Sequence, residues 1–105
     1  KNNYKFINNK LLMLCKKNCL IVNTSRGEII DQEVLLKQIV NKKIGGYAAD
    51  VISKENNINS LKKFITKVKN LDNIIITPHI GGFTKESLNY TEELIAKYFK
   101  NKFIK

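Results

Sequence analysis

Three short apolar runs alternate with amphipathic segments along the chain. The runs lie at Cys19–Val22, Ile44–Ala49 and Ile74–Ile76, and polar residues follow each of them. Short continuous apolar runs are typical of strands that are buried in a parallel sheet. The pattern therefore predicts three strands, each of which ends in a polar loop.

Four segments around these strands carry apolar residues at helical spacing. The pattern predicts a first helix over Asn9–Lys17 that ends at a left-handed Asn18, and a second helix that Asp31 caps. A third helix is predicted behind a Ser60 cap, and a last one from Thr84. The apolar positions of the four helices are Leu11, Leu12, Leu14 and Cys15; Leu35, Leu36, Ile39 and Val40; Leu61, Phe64, Ile65 and Val68; and Leu88, Leu94, Ile95, Tyr98 and Phe99.

The alternation of strands and helices predicts an α/β fold. Right-handed βαβ units form a parallel sheet that helices cover on both faces. Ligands of such sheets bind outside the carboxyl ends of the strands. Arg26 follows the first strand, Asp50 and Glu55 follow the second, and His79, the only histidine, follows the third. The sequence therefore predicts one site that contains a cation, two carboxylates and an imidazole.

These side chains suit acid-base chemistry on an anionic substrate. A carboxylate beside a histidine stabilises the protonated imidazole, and an arginine grips a carboxylate or polarises a carbonyl oxygen. Each residue also has an ordinary interpretation. Arg26 and His79 suit an exposed turn and loop, Asp50 suits a turn cap, and Glu55 alone carries little information.

Composition narrows the possible partners. The 105 residues suffice for one small domain, and the formal charge of +10 comes from scattered lysines with a single arginine. A specific nucleic-acid reader uses arginine for its bidentate contacts, so we interpret the charge mainly as a solvated surface and keep a basic nucleic-acid module as the minor alternative. With neither a spanning segment nor a signal peptide in the sequence, we expect a cytoplasmic protein without a membrane partner.

Cys15 and Cys19 are the only cysteines. No second pair or nearby histidine completes a zinc site, so no metal is expected. A disulfide is disfavoured because the two residues lie between a predicted helix and a strand. We therefore expect two reduced, buried thiols.

Three motifs at these strand ends resemble one known family. An N-x-x-R-G turn lies at Asn23–Gly27, a D-V-x-x-x-E segment at Asp50–Glu55, and T-P-H-I-G-G at Thr77–Gly82. In this order, they resemble the later half of the D-isomer-specific 2-hydroxyacid dehydrogenases, from about Tyr4 to about Phe99. The resemblance implies the C-terminal half of a Rossmann-type NAD-binding domain over residues 1–82. Residues 83–105 are then a C-terminal helix that leads back toward a substrate domain.

The resemblance also implies residue roles. His79 would donate a proton to the keto oxygen, Glu55 would pair with His79, and Arg26 would bind the substrate's carboxylate and keto oxygen. The residues that match the lining of the nicotinamide end of NAD are Thr24, Ser25, Arg26, Asp50, His79, Ile80, Gly81 and Gly82. The family also implies a small 2-keto or 2-hydroxy acid as substrate and a homodimer.

Two departures qualify the resemblance. Asn56 stands where the family usually has proline, and no G-x-G-x-x-G fingerprint is present. We therefore expect a piece of the enzyme that is inactive alone, with the pyrophosphate-binding half preceding it. The H-I-G-G-x-T segment is most similar to phosphoglycerate dehydrogenase of serine biosynthesis. Glyoxylate, hydroxypyruvate or lactate enzymes, a dinucleotide-sensing corepressor, and NADP in place of NAD all stay open.

Overall fold

The computed structural model describes residues 3–103. Within this range the chain forms four α-helices, one short 3-10 turn and three strands. In chain order these are α1 (Asn9–Leu12), β1 (Leu20–Asn23), the 3-10 turn (Gly27–Ile29), α2 (Gln32–Val40), β2 (Gly46–Ala49), α3 (Ile58–Val68), β3 (Ile74–Ile76) and α4 (Lys85–Phe103). The ends of the two predicted domains, residues 1–2 and 104–105, lie outside the described residues.

The three strands form one parallel sheet in the order β1-β2-β3. Asn23 lies opposite Ala49, and Ala49 lies opposite Ile76, so all three strands end at the same level. The loops after the strands therefore begin side by side along one edge. The predicted α/β class and the parallel sheet are confirmed.

The core lies on one face of this sheet. Leu35 and Ile39 of α2 are 0% and 2% exposed and pack against Tyr47 and Ala49 of β2. Leu12 of α1 joins the same cluster, and α3 packs on it through half-buried apolar residues. The helices thus cover the face that bears the odd-numbered residues of β1 and β2.

The opposite face of the sheet is bare within residues 3–103. Leu20 and Val22 of β1 are 72% and 69% exposed, and Ile75 of β3 is 65% exposed. These exposed residues alternate with buried or half-buried ones along β1 and β3, as the pleat requires. The prediction of helices on both faces was wrong for the described chain, because α1, α2 and α3 all pack on one side.

The first helix is shorter than its pattern predicts. It ends at Leu12, and Met13 and Leu14 after it are 67% and 80% exposed. A helix continues where its apolar face has a core to cover, and only Leu12 of this helix reaches one. Asn18 is not left-handed, so the predicted helix end there was wrong.

Two details of the middle helices differ from the prediction. Asp31 caps α2 as predicted and accepts from the backbone N–H of Val34, but Val40 at its end is 59% exposed. Asn57, not Ser60, caps α3 and accepts the backbone N–H of Ser60. Asn and Ser are equally good caps, so the pattern alone does not choose between them.

The last helix projects away from the sheet. Its predicted apolar residues Leu88, Leu94, Ile95, Tyr98 and Phe99 are 45–57% exposed, and the molecule measures 61 × 27 × 24 Å. Both cysteine thiols are free but half-buried rather than buried. None of the helices described is both long enough and apolar enough to cross a membrane.

Candidate active site

The turn after β1 is built around the buried side chain of Asn23. Its amide donates to the carbonyl of Arg26 at 3.0 Å, and its oxygen accepts the backbone N–H of Ser25 at 3.1 Å. This amide closes a tight turn at the edge of the sheet. The guanidinium of Arg26 donates to the carbonyl of Ser25 at 2.7 Å and is exposed to solvent.

Asp50 organises the loop after β3. Its carboxylate accepts the hydroxyl of Thr77 at 2.6 Å and the backbone N–H groups of Ile80 and Gly81 at 2.9 and 2.7 Å. The hydroxyl of Thr77, followed by the N–H of Gly81, holds the pKa of Asp50 below its ordinary value, because these donors favour the ionised carboxylate. Asp50 therefore joins the ends of β2 and β3.

His79 lies inside the loop that Asp50 holds. Its backbone is left-handed, with φ at +56°, which is uncommon for a residue with a side chain. Its Nδ1 lies 2.6 Å from Oε1 of Glu55, and the two side chains are 48% and 29% exposed. Its Nε2 has no hydrogen-bond partner within residues 3–103. Glu55 thus fixes one ring nitrogen and leaves the other available to a ligand.

The loop that carries Glu55 has its own unusual backbone. Lys54 has φ at +58°, a left-handed conformation immediately before Glu55. The second oxygen of Glu55 accepts the backbone N–H of Ile52 at 3.3 Å, so each carboxylate oxygen has one hydrogen-bond partner.

A cleft of about 480 Å³ opens beside this pair. The predicted residues Asp50, Glu55 and His79 line it together with apolar side chains of α3 and β3. Its full lining is Asp50, Ile52, Glu55, Asn56, Leu61, Ile65, Ile76, Thr77, Pro78 and His79. The sheet edge therefore brings three of the predicted site residues to one cavity.

The other predicted residues lie along the same edge but outside this cleft. Arg26 points back to its own turn, and Thr24 and Ser25 follow β1 on the far side of β2. Their roles stay predictions. The sequence analysis missed Thr77, whose hydroxyl orients Asp50. As the first polar residue after β3, it carried the same positional signal as the others.

The edge suits the nicotinamide end of a dinucleotide. Nothing lies within 4 Å of a Cβ built on Gly82, so the backbone there is open to close approach by a ligand. A Cβ on Gly81 would lie 2.8 Å from Asp50 Oδ2, so a side chain at this position would push against the carboxylate that holds the loop. Asp50, Gly81 and Gly82 are the residues that would hold that group. Within the described residues no cluster of three or more potential metal ligands occurs.

Comparisons with known proteins identify the family of this chain. The family model described as "D-isomer specific 2-hydroxyacid dehydrogenase, NAD binding domain" matches residues 1–81. A glyoxylate reductase of Thermococcus litoralis is 35% identical over 97 residues, which cover 92% of this chain and 28% of that protein. A hydroxypyruvate reductase of Thermotoga maritima is 36% identical over 95 residues, which cover 90% of this chain and 30% of that protein.

Solved structures show the same fold. The D-lactate dehydrogenase of Aquifex aeolicus, complexed with NAD and lactic acid, has a TM-score of 0.76 and 31% identity, over 93% of this chain and 32% of that one. The apo D-mandelate dehydrogenase of Rhodotorula graminis has a TM-score of 0.84 and 24% identity, over 99% of this chain and 28% of that one. The chain thus spans less than a third of these relatives. It belongs to the NAD-binding domain family of the D-isomer specific 2-hydroxyacid dehydrogenases.

Proposed function

We propose that the protein carrying this chain is an oxidoreductase that interconverts a 2-keto acid and a D-2-hydroxy acid with NAD. The observation that carries the proposal is the 2.6 Å contact between His79 Nδ1 and Glu55, which leaves Nε2 without a partner in the described chain. A carboxylate on one ring nitrogen fixes the tautomer and favours protonation, so the other nitrogen can deliver a proton.

Bound NADH would supply the hydride that reaches the carbonyl carbon. Negative charge then develops on the keto oxygen, and protonated His79 donates its Nε2 proton to that oxygen to form the hydroxyl. Arg26 would bind the substrate carboxylate and stabilise the developing charge, after its side chain leaves the carbonyl of Ser25. In the reverse direction neutral His79 accepts the proton, so reduction and oxidation should favour lower and higher pH respectively.

We propose a small 2-keto acid, glyoxylate or hydroxypyruvate, as the substrate rather than 3-phosphohydroxypyruvate. The names of the two relatives above support this choice. We further propose that the protein is cytoplasmic and forms a homodimer. Sedimentation velocity of the purified protein tests the dimer.

The test is the rate of NADH oxidation with glyoxylate, hydroxypyruvate, 3-phosphohydroxypyruvate and pyruvate. We expect turnover of the first two, and a loss of about 10²-fold or more in kcat for His79→Gln. Glu55→Gln should also lose activity, whereas Glu86→Gln, an exposed glutamate of α4, is the matched control and should not. Tight NADH binding without turnover of any substrate would refute the proposal in favour of a dinucleotide-sensing binding protein.

A further inference from the structure

The loop from Val51 to Glu55 needs support from outside itself. It lies between β2 and α3, and its left-handed residue Lys54 comes directly before Glu55. A residue with a side chain persists in this conformation only where surrounding contacts hold it. The contacts that hold this loop decide where the carboxylate of Glu55 lies.

Two side chains from an earlier part of the chain accept consecutive amides of the loop. Gln32 Oε1, at the start of α2, accepts the backbone N–H of Ser53 at 2.5 Å. Glu28 Oε1, in the 3-10 turn, accepts the backbone N–H of Lys54 at 3.0 Å. The latter bond is the main reason that the pKa of Glu28 lies below its ordinary value.

Gln32 is the better anchored of the two. It is only 9% exposed, whereas Glu28 is exposed, so solvent competes less for its bond. Its Nε2 is also buried and has no hydrogen-bond partner in the described chain. Burying an amide with one half unsatisfied is costly, so the bond from Oε1 to the loop is the contact that accounts for a glutamine there.

The same segment carries Arg26. The next residue, Gly27, packs so closely on the loop that an added Cβ would lie 2.0 Å from the carbonyl carbon of Ile52. Residues 26–32 therefore touch the loop at Gly27, Glu28 and Gln32. A shift of the loop relative to this segment changes the position of Glu55 relative to both Arg26 and His79.

We infer that Gln32, assisted by Glu28, is a positioning residue that holds Glu55 against His79 through the backbone of Ser53 and Lys54. The contact between Glu55 and His79 is 2.6 Å long, and hydrogen bonds of this type extend to about 3.2 Å, so a movement of the loop by about 1 Å breaks it. The kinetic consequence of this inference rests on the proposed function, whereas the contact itself does not.

The test compares Gln32→Leu, which removes the acceptor, with Gln32→Glu, which keeps one. Gln38→Leu is the matched control, because Gln38 lies on the same helix and its side chain donates to Asn9 instead. Amide hydrogen exchange at Ser53 should rise about 10-fold or more in Gln32→Leu and stay near the wild-type rate in the other two variants. Glu28→Ala should act in the same way at Lys54.

The state of the catalytic pair is measured by chemical modification of His79. His79 is the only histidine of the chain, so carbethoxylation by diethyl pyrocarbonate can be followed on its peptide by mass spectrometry. Release of Nδ1 from Glu55 leaves both ring nitrogens accessible to the reagent, so His79 in Gln32→Leu should react several-fold faster than in the wild type. In the active protein kcat should fall about 10-fold with little change in KM.

Each result decides a separate point. Unchanged exchange at Ser53 in Gln32→Leu overturns the inference, and so does faster exchange with unchanged modification of His79. If Gln32→Leu does not fold, Glu28→Ala tests the same loop from an exposed position. If the wild-type protein has no turnover, the proposed function fails, while the exchange and modification results still decide whether Gln32 positions Glu55.

Discussion

Gly27→Ala is the sharpest test of how the two strand-end loops pack. Gly27 is buried, and a Cβ there would lie 2.0 Å from the carbonyl carbon of Ile52 and 2.1 Å from the backbone nitrogen of Ser53. Optimal contact distances between such atoms are about 3.5–4.0 Å. The turn after β1 must therefore move away from the loop after β2 by roughly 1.5 Å.

The expected cost has two parts. Overpacking of a buried site costs about 1–3 kcal/mol. Separation of the loops also weakens the bonds from Ser53 to Gln32 and from Lys54 to Glu28, at about 1 kcal/mol each. We therefore expect Gly27→Ala to lower the free energy of unfolding by about 3–5 kcal/mol. Backbone strain adds nothing, because no glycine described has a positive φ.

The measurement is urea denaturation of the wild type, Gly27→Ala and Gly82→Ala. Gly82 is the matched control because a Cβ built on it meets nothing within 4 Å, so its substitution should stay within about 0.5 kcal/mol. A loss below about 1 kcal/mol for Gly27→Ala, or one equal to that of Gly82→Ala, would show that the two loops are not packed as described.

Three further substitutions test separate contacts. The pKa of Asp50 lies below its ordinary value mainly because of Thr77, so the stability it contributes is present above about pH 4 and is lost as the pH falls through the lowered pKa. Unfolding measured at decreasing pH should therefore show a steeper acid loss for the wild type than for Asp50→Asn, and equal slopes would contradict this. Tyr47→Phe removes a buried hydroxyl that lies beside the side chains of Asn23 and Gln32 without a well-formed hydrogen bond, so urea titration should show a change within about 1 kcal/mol, and a larger loss would contradict this. Lys67→Ala breaks an ion pair with Glu33 in which the two side chains are 38% and 69% exposed. It should lower the free energy of unfolding by less than about 1 kcal/mol, and by nothing in about 1 M salt. A larger loss that salt does not change would refute this.

Much of the fold was predictable because its signals are local. The apolar runs at β1, β2 and β3 and the Asp31 cap of α2 each depend on a few neighbouring residues. The errors arose where packing decides. The first helix ends at Leu12 because no core lies beyond it, and the sheet is covered on one face only.

The candidate site was likewise predictable only in part. The position of Asp50, Glu55 and His79 after parallel strands was enough to predict a shared edge of the sheet. Their hydrogen bonds were not predictable from spacing, because they depend on the left-handed backbone of Lys54 and of His79. Neither position carries a glycine, so the sequence gives no sign of the left-handed backbone there.

By itself the sequence determined the order and type of the elements and the chemical groups at the strand ends. Only the tertiary structure decided that Asp50 orients the loop of His79, that Glu55 contacts Nδ1, and that Gln32 supports Glu55 from a different element. The physical reason is the separation along the chain of the residues that make each contact. Periodicity reports which side of its own element a residue faces, whereas these contacts join residues separated by 21 or more positions, and their geometry follows from how three loops pack together.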